Sequence, residues 1–164
     1  MSEIDPGKAE RVWSRVMNAQ NSQPLPNTPT SRQNGDLSGE KLAELIAAEL
    51  RSSSLYRTLS CMAGSRCRKT LQYIAGQERC HAKKLAVMYY LATGRKFCPS
   101  GTKPACTACL NEALRQAYQD ELHDEKNYEL LAQTAGSHAC TLQQIAQQEA
   151  MHARLLACIL QSTL

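Results

Sequence analysis

Two stretches of this chain place a glutamate three residues before a histidine: Glu78-Arg-Cys-His81 and Glu149-Ala-Met-His152. Helical residues three apart share a face. Each pair can therefore offer a carboxylate and an imidazole to one metal ion, or let the glutamate reach a second ion. A single pair of this kind arises easily by chance, and its ordinary meaning is an exposed glutamate beside a surface histidine. Two pairs at equivalent places in one chain carry more weight, and two further glutamates, Glu49 and Glu121, join them. All four carboxylates interrupt apolar stripes. Buried without partners, each would cost several kcal/mol or take up a proton, and together they would repel one another in a poorly screened interior. Two divalent cations remove that difficulty, because four carboxylates neutralise their charge. The expected metal set is Glu49, Glu78, His81, Glu121, Glu149 and His152.

The elements that must position this set are helices. Leu42, Leu45, Ile46, Glu49, Tyr56 and Leu59 recur at steps that keep them on one helix face. Leu71, Ile74, Glu78, His81, Leu85 and Met88 do the same, as do Leu110, Leu114, Ala117, Glu121, Tyr128 and Leu131. A fourth stripe runs through Leu142, Ile145, Glu149, His152, Leu156 and Ile159. Every stripe carries its carboxylate near the middle. The chain also repeats itself. Residues 49–65 (ELRSSSLYRTLSCMAGS) match 121–137 (ELHDEKNYELLAQTAGS), and 71–82 (LQYIAGQERCHA) match 142–153 (LQQIAQQEAMHA). Two duplicated helical hairpins follow. Neither can bury its stripe alone, so the expected fold is all-α, a four-helix bundle.

Punctuation sets the boundaries. Ser38 is a plausible N-cap, with Glu40 in the first turn. The first helix is expected to reach about Ala63 and stop at a left-handed Gly64. The second runs from Ser65 or Arg66 to Thr93, ended by Gly94. Residues 95–105, with two prolines and a glycine, form a loop. The third helix spans about Cys106 to Ala135, ended by Gly136, and the fourth runs from His138 to the C-terminus. Residues 1–38 divide from this bundle (39–164): 7–17 could make one short amphipathic helix, and 18–38 are too polar and proline-rich to order themselves.

With 43% hydrophobic and 5% aromatic residues the chain favours helix over sheet. The net charge of +4 comes without any Lys/Arg run, which speaks against nucleic acid. No stretch is long and apolar enough to span a membrane. Neither does the N-terminus have a secretion signal's pattern, so a cytoplasmic protein is expected. The eight cysteines are accordingly read as mainly reduced, most of them packed in helices as small hydrophobes. Cys106-Thr-Ala-Cys109 is the one Cys-x-x-Cys pair, and with Cys98 it could make a redox or metal cluster, but loop cysteines without a role, or a simple disulfide formed after isolation, are the preferred reading. His123 and His138 interrupt no stripe and read as surface or capping residues.

Over about residues 40–160, the order Glu…Glu-x-x-His…Glu…Glu-x-x-His resembles the di-iron carboxylate signature of the ferritin-like superfamily, and within it the rubrerythrin group most. The resemblance implies two iron ions, with Glu78 and Glu149 bridging them, and Tyr56 and Tyr128 beside the ligands. It also implies that Asp124, three residues after Glu121, is an additional ligand exchanging one iron with His81. Rubrerythrins reduce hydrogen peroxide to water, and their rubredoxin domain holds iron with two Cys-x-x-Cys pairs. This chain has one pair, so its electrons would come from a separate donor protein. Manganese suits the same donors, as in manganese catalases. A ferritin-type store, reacting with dioxygen, would have nearly the same ligands, but the 95–105 loop is short for one. A non-catalytic interaction bundle, using the N-terminal segment with Trp13, is the third expectation. A homodimer is expected by analogy with related bundles.

Overall fold

The computed structural model describes residues 37–99 and 109–163. The expected N-terminal helix, the linker up to Asp36 and Cys106 lie outside the described residues. The described chain forms α1 (Gly39–Met62), α2 (Ser65–Thr93), α3 (Leu110–Thr134) and α4 (Ala139–Thr163), with a single 3-10 turn at Gly136–His138 before α4. At about 1.5 Å per residue, the 24 residues of α1 make a rod of about 36 Å.

Local chemistry explains where these helices begin and end. Ser38 stands in extended conformation, and its side chain accepts a hydrogen bond from the Lys41 backbone N–H at 3.1 Å. That satisfies one of the first-turn donors no helical carbonyl can reach. Gly94 closes α2 in the left-handed region (φ 69°), where a side chain would be strained, and Gly136 follows α3 with φ 53°. Gly64 differs from expectation. It is extended (φ −61°, ψ 164°) and serves as the N-cap of α2. The turn from α1 to α2 is so tight that the C-cap of α1, Ala63, adjoins the N-cap of α2, both extended, which leaves no place for a left-handed cap. Likewise α3 starts at Leu110, with Cys109 at its N-cap.

The helices pack as two hairpins, α1 with α2 and α3 with α4; across the hairpins, α1 meets α3 and α2 meets α4. Two apolar clusters fill the bundle. One joins the start of α1 (Leu42, Leu45, Ile46) to the ends of α2 and α3 (Leu85, Met88, Tyr128) and the start of α4 (Leu142, Ile145). The other joins the end of α1 (Tyr56, Leu59) to the starts of α2 and α3 (Leu71, Ile74, Leu114) and the end of α4 (Leu156, Ile159). It follows that α1 and α3 run antiparallel, as do α2 and α4. The connection Gly94–Cys109 therefore joins opposite ends of the bundle. Between the two clusters lies a layer of buried polar side chains.

Of the described cysteines only Cys67 packs against this core, on the second cluster. Of the seven described, six are exposed and Cys67 is half-buried. The expectation that they pack as small hydrophobes holds for Cys67 and fails for the other six, because Leu, Ile and Ala occupy the stripe positions and those cysteines fall on the outer turns. Two of the three loop cysteines, Cys98 and Cys109, fall within the described residues. Phe97 packs on the first apolar cluster and Leu110 on the second, which leaves Cys98 and Cys109 at opposite ends.

Candidate metal centre

The polar layer between the clusters consists of the six residues expected to bind metal. Glu49, Glu78, Glu121 and Glu149 are no more than 4% exposed, and His81 and His152 are fully buried. They come from the middle turns of all four helices, where each apolar stripe turns polar. The two imidazole rings converge, with centroids 5.7 Å apart. His81 Nδ1 lies 2.9 Å from Glu149 Oε1 and 3.4 Å from Glu49 Oε2. His152 Nδ1 lies 2.9 Å from both Glu78 Oε1 and Glu149 Oε2, and 3.4 Å from Glu121 Oε2.

Two groups of four possible ligands result: Glu49, Glu78, His81 and Glu149, and then Glu78, Glu121, Glu149 and His152. Within each, the ligand atoms lie within 4.8 Å of one another. Glu78 and Glu149 belong to both groups, the position a bridging carboxylate must have. One oxygen of every carboxylate, together with His81 Nδ1, is buried with only these close ion-pair contacts inside the layer, and His152 Nε2 is buried with no hydrogen-bond partner. Buried polar atoms are seldom left so in folded proteins. A cation between the carboxylates would satisfy the inward-facing oxygens, so the residues fit a pair of metal ions.

The electrostatics agree. Burial alone would push both imidazoles down, but hydrogen bonds to Glu149 and Glu49 raise His81 to about 10, and bonds to Glu121, Glu149 and Glu78 raise His152 to about 12. Burial pushes Glu149 up, yet hydrogen bonds from His152 and His81 hold it at about 2. Glu78 stands well above the carboxylate range because of burial and the charges around it, which its bond to His152 does not offset. Geometry explains the contrast, since Glu149 faces both histidines and Glu78 only one. Burial also raises Glu121, to about 7, against its bond to His152. Without metal, protons on the imidazoles supply the positive charge that the carboxylates require.

The tyrosines hold the carboxylates across the hairpins. The Tyr56 hydroxyl, on α1, donates to Glu121 Oε1 on α3, and the Tyr128 hydroxyl, on α3, donates to Glu49 Oε1 on α1. Burial and the adjacent carboxylates raise both phenols, which stay protonated and able to donate. Tyr56→Phe or Tyr128→Phe leaves a buried carboxylate oxygen without its donor. Each should cost about 1–3 kcal/mol in denaturant unfolding of the metal-free protein. Each should also weaken metal binding by roughly tenfold or more. Unchanged values in both measurements would reduce the tyrosines to packing.

Asp124 stands outside both four-ligand groups. It is half-buried on the wall of a cavity of about 330 Å³ between α1 and α3, together with Ser52 and His123. Burial and the charges of Glu149 and Glu49 raise it to about 6. Reasoning from the stripes missed Gln148, whose amide touches the outer nitrogen of His81 at 2.9 Å. The available signal was the glutamine that precedes Glu78 and Glu149 in both halves of the repeat.

A bundle of two antiparallel hairpins with a connection between opposite ends is a specific architecture, and it has a solved counterpart. A structure titled "Humanized Archaeal ferritin" superposes with a TM-score of 0.62, covering 76% of this chain and 82% of that one at 21% sequence identity. The fold is ferritin-like. Among models of known protein families none matches the chain, and no curated protein sequence matches it. Among the described residues no helix of this ferritin-like bundle is long and apolar enough to cross a membrane.

Proposed function

We propose that the chain is a non-haem di-iron protein of the rubrerythrin kind, reducing hydrogen peroxide with electrons from a separate donor protein. The observation that supports this reading is the sharing of Glu78 and Glu149 by two four-ligand groups in a buried layer. Carboxylate and imidazole ligands suit iron and manganese alike. Iron is preferred because the solved structure with this fold is a ferritin.

Glu49, Glu78, His81 and Glu149 would hold one ion, and Glu78, Glu121, Glu149 and His152 the other. When bound, two ferrous ions would give one electron each to split the peroxide O–O bond, and two protons complete two waters. The tyrosine hydroxyls keep Glu49 and Glu121 aimed inward. The apolar clusters above and below the layer exclude water. The cavity beside Asp124 is lined by Ala48 and Asp120, the chain neighbours of Glu49 and Glu121, which makes it the face from which a small oxidant would approach.

Iron oxidation and storage is the second reading, and the ferritin counterpart favours it. Anaerobic loading of the full chain, removal of excess ion and elemental analysis test both. The expected result is two irons per chain, and after reduction one peroxide consumed for every two irons. A store would instead keep accumulating iron under dioxygen well beyond two per chain. A chain retaining neither iron nor manganese would sink the proposal.

A further inference from the structure

The two histidines of the layer differ in what holds their outer nitrogens. His81 Nε2 lies 2.9 Å from Gln148 Oε1, and Lys84 Nζ approaches the same atom at 3.3 Å. A lysine ammonium donates and cannot accept, so the atom it touches is the amide oxygen. The amide nitrogen is used separately, donating to Gln77 Oε1 at 2.9 Å. An amide oxygen only accepts, so His81 Nε2 must carry a proton. In the neutral ring the lone pair then belongs to Nδ1, the nitrogen that faces Glu149 and Glu49. One amide, held at both ends, thus sets the tautomer of His81 and the plane of its ring.

The internal repeat would put Gln77 in the same place for His152, with Leu155 where Lys84 stands. The chain departs from that symmetry. Gln77 Oε1 is taken by Gln148, leucine has no ammonium, and His152 Nε2 is buried with no hydrogen-bond partner. Among the described residues no hydrogen-bonding group holds that ring from behind.

Building on the dinuclear reading, we infer that Gln148, anchored by Lys84 and Gln77, is a positioning residue that makes the two metal sites unequal. The site containing His81 takes the first ion, with higher affinity. The site containing His152 takes the second, because its ring must be oriented by the metal alone. Partners behind a ligating histidine are generally worth about ten- to a hundredfold in metal affinity.

The test is anaerobic titration of the metal-free full chain with cobalt(II), followed by its ligand-field absorption. The native chain should bind in two steps separated by about ten- to a hundredfold. His81→Ala should abolish the tight step, and His152→Ala should leave it. Gln148→Leu should weaken the tight step until the two merge. Gln148→Glu, which can still accept from both His81 and Lys84, should restore the separation, a rescue that mere packing at this position would not give. Two equal steps in the native chain, or a tight step untouched by Gln148→Leu, would overturn the inference and leave the dinuclear centre standing. No cobalt binding at all would overturn both.

Discussion

Glu78→Ala combined with Glu149→Ala should leave the protein unable to bind metal in the buried layer. Each of the two ligand groups then loses two of its four members, because both contain both residues. Two divalent ions would also face two carboxylates instead of four, leaving uncompensated positive charge in a layer that is almost fully buried. Such a charge costs several kcal/mol even after local relaxation. No rearrangement of Glu49 and Glu121 can supply a bridge, since their outer oxygens are tied to Tyr128 and Tyr56. Elemental analysis of the double variant after anaerobic loading should find essentially no bound iron, against two per native chain. Loss of one ion with retention of the other would mean that the sites are independent and unbridged. Full retention would move the metals elsewhere. The conservative variants separate ligation from folding. Glu78→Gln should stabilise the metal-free chain, because it replaces a carboxyl that burial already holds toward its neutral form. Glu149→Gln should destabilise it, because both imidazoles lose the carboxylate that balances them.

The buried Glu/His layer was legible in the sequence because carboxylates and imidazoles on an apolar stripe are a mark no core needs. A core stripe normally continues Leu, Ile, Val or Ala without a break. Here all four stripes break at a carboxylate, and the repeat puts the breaks at matching places. The same periodicity gave α1 to α4 to within a few residues. It could not give Gly64 its true role, since a glycine after a helix looks alike whether it turns left-handed or stays extended to start the next helix. The tyrosines were found on the stripe, two turns beyond their own glutamates. That each serves the other hairpin's glutamate depends on α1 and α3 running antiparallel, which no local pattern encodes.

Gln148 and the cysteines mark where sequence patterns stop informing. Gln77 and Gln148 repeat faithfully, yet their partners do not, and the difference arises from Lys84 against Leu155 on the turn beyond each histidine. A repeat shows which residues correspond and says nothing about which correspondences have been broken by a neighbour. Cysteine fits both core and surface, so its composition carries no burial information of its own. Only its angle from the stripe decides, as for Cys80 beside Glu78, which proves exposed.

Acidity should move the metal-free and metal-loaded proteins in opposite directions. The imidazoles of His81 and His152 rise from 6.5 in the unfolded chain to about 10 and about 12 in the fold. Their stabilisation is present in full below pH 6.5 and is lost as pH climbs through those higher values. Glu121, raised from 4.5 to about 7, adds destabilisation as pH rises through that interval, and Glu78 acts in the same sense. Glu149, lowered to about 2, stabilises above pH 4.5 and fails only as pH falls toward 2. The metal-free protein should therefore melt at progressively lower temperature from about pH 5 upward. Metal ions compete with these same protons for the carboxylates and Nδ1 atoms, so loading should release protons and strengthen as pH rises. With free ion at a hundred times the dissociation constant, each site adds about 2.7 kcal/mol, roughly 5 kcal/mol for two. For a domain of this size that is a rise in Tm on the order of 15 °C. Calorimetry of both forms between pH 5.5 and 8.5 (a range chosen as roughly spanning these shifts) should show the gap widening with pH. A constant gap would mean that the histidines are neutral before metal arrives. No gap at any pH would mean that the buried carboxylates are balanced by protons alone.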